Sequence, residues 1–388
     1  MSIPALLEPR FDLSKKDLER YSRHLLLPEF GVEGQRKLKT SKVLVVGAGG
    51  LGSPSLMYLA AAGIGTLAVI DHDTVDISNL QRQIIHGVND LGDHKVESAR
   101  RTIQSFNPLL KFEAIQERLS EDNAIDIISQ YDLVLDGTDN FATRYLVNDA
   151  CVLTKKPYVW GSIYRFEGQA SVFWEQAPDG RGINYRDLYP APPPPEHAPS
   201  CAEGGVLGVL CASIASIMAT EAIKLLTGMG ESLIGSLMVY DALDMSYKKF
   251  PIRRDPSRKP ITALSDYEYF CGLNSSSENE EIPRISVLDL QKKLTSSKPP
   301  TLIDVREKTE WDIVHLVEAV HLAKSDPGFQ SKVSEFSIDL EIYVMCKSGG
   351  RSRSVTQQLL NMGFTNVADV EGGILAWVKK IDPSMTSY

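Results

Sequence analysis

Short apolar runs and amphipathic stretches alternate along the N-terminal part of the chain. Residues 43–46, 66–70 and 133–135, with 158–160 after them, are apolar segments bounded by turn formers and read as strands. Residues 54–62 and 95–106 carry apolar positions at helical spacing. The alternation predicts an α/β fold with a mainly parallel sheet covered by helices. Residues 168–174 read as an added antiparallel strand, and 13–27 as a helix with Ser14 as N-cap ahead of Asp17-Leu18-Glu19. The stretch 204–220 is uncharged after Glu203 and then runs into Glu221 and Lys224. It falls short of the roughly 20 apolar residues that span a bilayer, so a buried helix over 206–226 is expected rather than a membrane segment.

Breaks in this pattern set the domain limits. Residues 179–200 include Pro190-Ala191-Pro192-Pro193-Pro194-Pro195 and are expected to be a long, partly extended loop, of a length that is often functional. Residues 274–281 are polar and charged without apolar anchors, which suits a linker. Beyond them, strand-like runs at 301–305 and 341–345 belong to a small α/β domain of about a hundred residues. The expected division is 1–272, a flexible linker 273–284, and 285–388.

Composition narrows the class. The chain has 388 residues, 43% hydrophobic and 23% charged, with a net charge of −9 that argues against a general nucleic-acid binder. Residues 1–10 lack the basic start and apolar stretch of a signal peptide. Five cysteines (Cys151, Cys201, Cys211, Cys271 and Cys346) without a CxxC pair suit a reduced, cytoplasmic protein.

Two loops carry candidate chemistry, each directly after a strand. Gly47-Ala48-Gly49-Gly50-Leu51-Gly52 follows residues 42–46. A glycine-rich turn between strand and helix lets backbone N–H groups approach phosphate, and Asp71 at the end of the next strand can bind ribose hydroxyls. Alone, that pattern most often means NAD or FAD. Ser78-Asn79-Leu80-Gln81-Arg82-Gln83 then adds an arginine, Gly92-Asp93-His94-Lys95 a lysine, and Asp136-Gly137-Thr138-Asp139-Asn140 an acidic turn after a third strand. Cations with an acid at the carboxyl edge of a parallel sheet suit ATP with Mg²⁺ better than a nicotinamide.

The second loop is Cys346-Lys347-Ser348-Gly349-Gly350-Arg351-Ser352, followed by Ser354 after Arg353. Loop amides and the cations Lys347, Arg351 and Arg353 are expected around the sulfur, surroundings that favour a reactive thiolate or persulfide. Four residues separate Cys346 from Arg351, where the phosphatase signature has five, so the loop suits sulfur better than phosphate.

These motifs are recognisable together. From about residue 18 to 270 the chain resembles the MoeB/ThiF adenylyltransferases, relatives of ubiquitin-activating (E1) enzymes with a Rossmann-like nucleotide-binding domain. The resemblance implies that the Gly47, Gly49, Gly50 and Gly52 loop, Asp71, Ser78, Asn79, Arg82, Lys95, Asp139 and Asn140 bind ATP. It makes Arg82, Lys95 and Asp139 catalytic, with Asp139 on Mg²⁺. It implies that Arg23 reaches the nucleotide of the partner subunit in a homodimer. Against these stand plainer readings: Ser78 and Asn79 as helix caps, Arg23 as a surface ion-pair residue, and Asp136 as structural. With Ile303-Asp304-Val305-Arg306 upstream and Glu371-Gly372-Gly373-Ile374-Leu375-Ala376-Trp377 downstream of Cys346, residues 285–388 resemble a rhodanese domain.

The tandem resembles the MoeZ type of that family, an adenylyltransferase fused to a sulfurtransferase. The implied substrate is a ubiquitin-like sulfur carrier of the MoaD, ThiS or CysO type ending in Gly-Gly. Its carboxylate is adenylated and then converted to a thiocarboxylate by a Cys346 persulfide, which thiosulfate or a cysteine desulfurase loads. Molybdopterin, cysteine or thiamine synthesis is the implied destination. Relatives place a cysteine at Cys201 that forms a thioester or resolves an acyl disulfide; closing a loop by packing is the other reading of Cys201. Relatives also hold zinc through two CxxC pairs, but Asn184-Tyr185-Arg186-Asp187 and Arg253-Arg254-Asp255-Pro256 stand there, so no structural zinc is expected. Two alternatives remain: a rhodanese domain that only recruits, and an NAD-dependent oxidoreductase.

Overall fold

The structure is a computed structural model, and it describes residues 3–193, 204–271 and 282–388. The chain divides into two compact units, Met1–Ser275 and Ser276–Tyr388.

The first unit is built on eight strands: β1 (Lys42–Val46), β2 (Thr66–Ile70), β3 (Lys111–Ile115), β4 (Leu133–Asp136), β5 (Tyr158–Tyr164), β6 (Glu167–Phe173), β7 (Ser236–Asp241) and β8 (Ser246–Pro251). Their order is β3-β2-β1-β4-β5-β6-β7-β8. The first five are parallel, and β6, β7 and β8 continue the sheet antiparallel. Successive side chains of β1 enter different cores: Val43 and Val45 pack with Leu56, Leu59 and Leu67, while Leu44 and Val46 pack with Val134 and Trp160. Burial on both faces is the physical reason the strand is an unbroken apolar run.

The helix Gly208–Thr227 is long and apolar enough to cross a membrane by length and composition. Here it is a core helix, with Leu210, Ile214, Met218, Ala222 and Leu226 fully buried against β5, β6 and the helix Gly52–Ala62. The approach to the sheet is so close that a Cβ at Gly161 would collide with Met218. The expected single helix over residues 13–27 is instead Lys15–Arg20 and Ser22–Leu25, broken at Tyr21. The Tyr21 ring is buried and its hydroxyl accepts from Asn107 Nδ2 at 3.0 Å, which turns the chain inward there. The Ser14 cap forms, with Asp17 N donating to Ser14 Oγ at 3.2 Å.

The second unit has a five-stranded, wholly parallel sheet in the order β11-β10-β12-β13-β9. Its strands are β9 (Arg284–Ile285), β10 (Thr301–Asp304), β11 (Ala319–His321), β12 (Ile342–Met345) and β13 (Val367–Val370). Tyr343 and Met345 of β12 face one core cluster, Ile342, Val344 and Cys346 the other. The Arg306 guanidinium, completely buried, is held by Asp304 through Nε and Nη2 and donates from Nη2 to Val314 O at 2.8 Å. A buried charge kept in this way needs its partners satisfied, and they are.

Candidate functional site

Strand order in the first sheet reverses at β1, which lies between β2 and β4. Loops leaving the carboxyl ends on either side of such a point separate and open a crevice. The loop after β1 turns at Gly47, with φ of +91°, and folds back so closely that a Cβ on Gly52 would strike the Gly47 carbonyl. The helix Gly52–Ala62 follows at once. Above it is a cavity of ≈ 410 Å³ lined by Gly47, Gly49, Gly50, Asp71, Arg82, Lys95, Asp139 and Asn140. Gly52, Ser78, Asn79 and Arg23 are not among its lining residues. Gly52 is the packing point behind the loop, and Arg23 is exposed on Ser22–Leu25.

Hydrogen bonds show what holds each group. Asp71 Oδ2 accepts from Ala48 N and Oδ1 from Asp73 N, each at 2.8 Å, so this carboxylate braces the glycine loop. Lys95, only 6% exposed, donates to Asp73 Oδ2 at 2.9 Å. Arg82 Nη1 donates to Ser78 O at 2.9 Å, which anchors the guanidinium on its own turn. Ser78 donates to Asp76 Oδ1 at 2.6 Å, and Asn79 Oδ1 accepts from Asp76 N at 3.1 Å. Asp76 is the N-cap of the short turn Ile77–Asn79, Asn79 completes its capping box, and the Ser78 hydroxyl is held on the cap carboxylate. Asn140 has two positions at once: it lines the cavity and caps the helix Phe141–Leu153, accepting from Thr143 N at 2.8 Å. Asp139 is exposed at the cavity edge. Asp136 is fully buried; its Oδ1 accepts from Thr138 N and Oγ1, and burial pushes its carboxyl up.

Three lining or supporting residues escaped the sequence reading. Arg144 lines the cavity, donates to Thr138 O at 3.1 and 3.3 Å, and lies over the Phe141 and Trp160 rings at 5.3 and 5.8 Å. It stands one helical turn beyond Asn140, a spacing that could have revealed it. Gln83 is buried beside the loop and closes the 78–83 motif. His86 braces the loop from behind, with Nε2 3.1 Å from Ala48 O and Nδ1 2.7 Å from Ser98 Oγ. Burial lowers the His86 pKa, which favours the neutral ring.

For a metal, Asp139 offers an exposed carboxylate at this cavity. Asp71, His72 and Asp73 present ligand atoms within 4.8 Å of one another along the same wall. Carboxylate oxygens of this kind fit Mg²⁺, a hard cation.

In the second unit the strand β12 delivers Cys346, 1% exposed, into a loop that turns at Gly349 with φ of +110°. Gly349 N donates to Cys346 Sγ at 3.1 Å and Ser352 Oγ donates at 3.2 Å. The helix Gly350–Asn361 begins there. The loop carbonyls are held by a second helix start, Ile374 N to Cys346 O at 2.9 Å and Leu375 N to Lys347 O at 3.1 Å. Two cations expected around the sulfur have other work. Lys347 Nζ lies 4.5 Å from the Tyr388 ring centroid, and Arg351 donates to both oxygens of Glu310 at 2.5 and 2.7 Å. The amide of Gly349 and the hydroxyl of Ser352 are donors to the sulfur. Arg353 lines a cavity of ≈ 320 Å³ with Ser348, Gly349 and Gly350.

Cys201 lies outside the described residues. Where relatives were expected to hold zinc, charged side chains join the two segments. Asp187 Oδ1 accepts from Asp255 N at 3.0 Å and Arg258 Nε at 2.8 Å, and Arg258 Nη2 donates to Glu175 Oε2 at 2.7 Å.

Residues 21–261 match the ThiF family, and residues 286–380 match the Rhodanese-like domain. The chain is 54% identical over 389 residues to the probable adenylyltransferase/sulfurtransferase MoeZ of Mycobacterium tuberculosis, covering 100% of this chain and 99% of the relative. It is 39% identical to the adenylyltransferase and sulfurtransferase MOCS3 of Mus musculus, covering 99% of this chain and 90% of the relative. Among solved structures, Escherichia coli MccB with ATP matches at a TM-score of 0.53 and 21% identity, over 62% of this chain and 72% of that one. That last likeness is one of fold alone. Full-length identity and the order of the two matched domains make the chain an enzyme of the ThiF family, of the adenylyltransferase/sulfurtransferase type with a C-terminal rhodanese-like domain.

Proposed function

We propose that this enzyme uses ATP to adenylate the C-terminal carboxylate of a ubiquitin-like sulfur carrier ending in Gly-Gly, and replaces the AMP with sulfur carried on Cys346. The observation that supports it best is that one chain joins a cavity lined by glycine-loop backbone, Arg82 and Lys95 to a loop that aims two donors at a cysteine sulfur. The solved MccB with ATP supports the choice of nucleotide for this fold.

A carboxylate is a poor electrophile. Its attack on the α-phosphate of ATP expels pyrophosphate and leaves an acyl adenylate with AMP as leaving group. In this reading the glycine-loop amides orient the phosphates, and Arg82 and Lys95 offset charge that grows in the displacement. Lys95 turns from Asp73 toward the phosphates when they arrive. The Asp139 carboxylate would hold Mg²⁺, which would supply further charge compensation. Arg144 holds the Thr138 carbonyl of the turn on which Asp139 stands, and Asn140 caps the helix that follows.

A sulfane sulfur from thiosulfate or a cysteine desulfurase first loads Cys346 as a persulfide. The terminal sulfur attacks the acyl carbon, the C–O bond to AMP breaks, and an acyl disulfide results. A thiol then attacks Cys346 Sγ, releasing the thiocarboxylate and leaving a disulfide that an external dithiol reduces. Cys201 is the proposed thiol. The thiocarboxylate serves molybdopterin, cysteine or thiamine synthesis. The same reading makes the protein a cytoplasmic homodimer in which Arg23 reaches the partner's nucleotide.

The test is intact-mass spectrometry of a Gly-Gly-ended carrier after incubation with the enzyme, ATP, Mg²⁺ and thiosulfate. Exchange of one oxygen for sulfur, absent with Cys346→Ala, is expected. Pyrophosphate release with sulfur gain undiminished in Cys346→Ala would favour a domain that only recruits its partners.

A further inference from the structure

Beside the glycine loop lies a buried carboxamide whose hydrogen bonds are unspent. Gln83 is 4% exposed and lines the same cavity as Gly49, Arg82 and Lys95. Its backbone is committed, N donating to Asn79 O at 2.9 Å and O accepting from His86 N at 3.1 Å. Its side chain is not. Oε1 is buried and has no hydrogen-bond partner among the described residues. Nε2 is turned to the glycine loop, 3.8 Å from where a Cβ on Gly49 would stand. The large majority of buried side-chain polar atoms are paired, and an unpaired one calls for a reason. A methionine would fill this place without stranding an oxygen, so packing does not account for a glutamine.

The orientation of the amide fits an anion. Oε1 is turned inward, and the amide N–H groups, which are donors only, are the end that reaches the loop. Position along the loop narrows which anion. Asp71, the acid suited to ribose hydroxyls, accepts from Ala48 N at 2.8 Å. Gly49 comes next, with Gln83 Nε2 beside it. The Arg82 stem covers Gly50, its Cγ and Cδ 3.7 Å from where a Cβ there would stand. The order along the chain is therefore acid, amide, guanidinium. A nucleoside triphosphate has the matching order of ribose, α-phosphate, and then β- and γ-phosphates.

We propose that Gln83 is a nucleotide-binding residue whose Nε2 donates to a non-bridging oxygen of the α-phosphate, the group that the carrier carboxylate attacks. The inference deepens the ATP reading of this cavity and rests on it. ATP, the acyl adenylate and AMP share the α-phosphate, so Gln83 holds all three. Arg82 stands further along the loop, toward the phosphates that depart as pyrophosphate.

The experiment measures ATP and AMP affinity of the full-length protein by isothermal titration calorimetry, with Mg²⁺ and without carrier. The melting temperature without nucleotide is taken beside it. Gln83→Met keeps the length of the side chain and removes the amide. It should weaken ATP and AMP alike by about tenfold, the effect of one hydrogen bond to a charged group. Its nucleotide-free melting temperature should equal or exceed that of wild type, because no unpaired oxygen is left buried. Gln83→Glu sets a carboxylate against the phosphate and should weaken both nucleotides further. A Gln83→Met protein that binds ATP like wild type overturns the inference. So does one that loses ATP affinity but keeps AMP affinity, since the contact would then lie on the departing phosphates. If Gln83→Met fails to fold, unchanged affinity in Gln83→Glu overturns it equally. Wild-type protein that binds neither nucleotide would overturn the ATP reading itself, whereas wild-type binding beside unchanged variants overturns Gln83 alone.

Discussion

Arg351 places its two terminal nitrogens on the two carboxylate oxygens of Glu310, at 2.5 and 2.7 Å. Glu310 Oε2 also accepts from Glu307 N at 3.1 Å, and Oε1 from the Tyr388 hydroxyl at 3.0 Å. The arginine of the cysteine loop is thus a strut between that loop and the helix Lys308–Ile313.

Breaking the strut should destabilise the second unit. Glu310→Ala leaves a mostly buried guanidinium without its acid, for which about 3 kcal/mol is expected. Chemical denaturation of wild type and variant measures it, and equal midpoints would refute the role.

The same pair predicts an acid limb. Burial pushes the Glu310 carboxyl up, but Arg351, with the Glu307 N–H and the Tyr388 hydroxyl, together more than offset this, so the group stands below its ordinary value of 4.5. A depressed carboxyl contributes stability that is fully present above its unfolded value and is lost as pH falls through its folded value. Wild type should lose this contribution below about pH 4.5, the unfolded value. Melting temperature against pH should be flatter there for Glu310→Gln.

Lys95→Ala should lower ATP-dependent adenylation by about 100-fold, the usual loss when one donor to developing charge is removed. Carrier-dependent exchange of pyrophosphate into ATP reports it. Thiosulfate–cyanide transfer in the same preparation should be unchanged, because Lys95 belongs to the other unit.

Gly52→Ala tests the close passage behind the glycine loop. The new methyl meets the Gly47 carbonyl, a backbone atom that cannot step aside as a side chain can. The nucleotide-binding unit should lose more than about 2 kcal/mol, as overpacked sites do. Loss of ATP-induced stabilisation in a melting experiment is the readout, and a variant that still binds ATP like wild type would contradict it.

Arg258 lies between Asp187 and Glu175, is 8% exposed, and ties residues 175–187 to 255–258. Arg258→Met should cost about 3 kcal/mol by stranding the buried Asp187 carboxylate, while Glu175 keeps Arg254. Elemental analysis should find no stoichiometric zinc, and a chelator should leave the wild-type melting temperature unchanged. Zinc at one per chain would overturn the idea that ion pairs do this joining.

Much of the fold was legible because central strands are apolar on both faces. The run 43–46 and the run 342–345 needed no periodicity argument, since nothing polar interrupts them. Peripheral strands were not legible. β3 reads Lys-Phe-Glu-Ala-Ile and β8 Ser-Tyr-Lys-Lys-Phe-Pro, edge positions where water competes with the core and the pattern weakens. At the site, glycines and Asp71 could be found from spacing, whereas the ion pairs of Lys95 with Asp73 and of Arg351 with Glu310 could not. The second joins residues 41 apart, and local sequence says nothing about which of several acids a flexible cation will choose.

Gly349 meets the sulfur with its own N–H, and the loop after β1 turns through Gly47 into the start of a helix. Donors of this sort belong to the main chain, and no substitution except proline deletes them. An alanine scan would therefore pass over the groups nearest the chemistry and score the struts around them. The informative changes are those that alter the path of the chain: a methyl where none fits, or an ester in place of one amide, which removes a single N–H and leaves every side chain as it was.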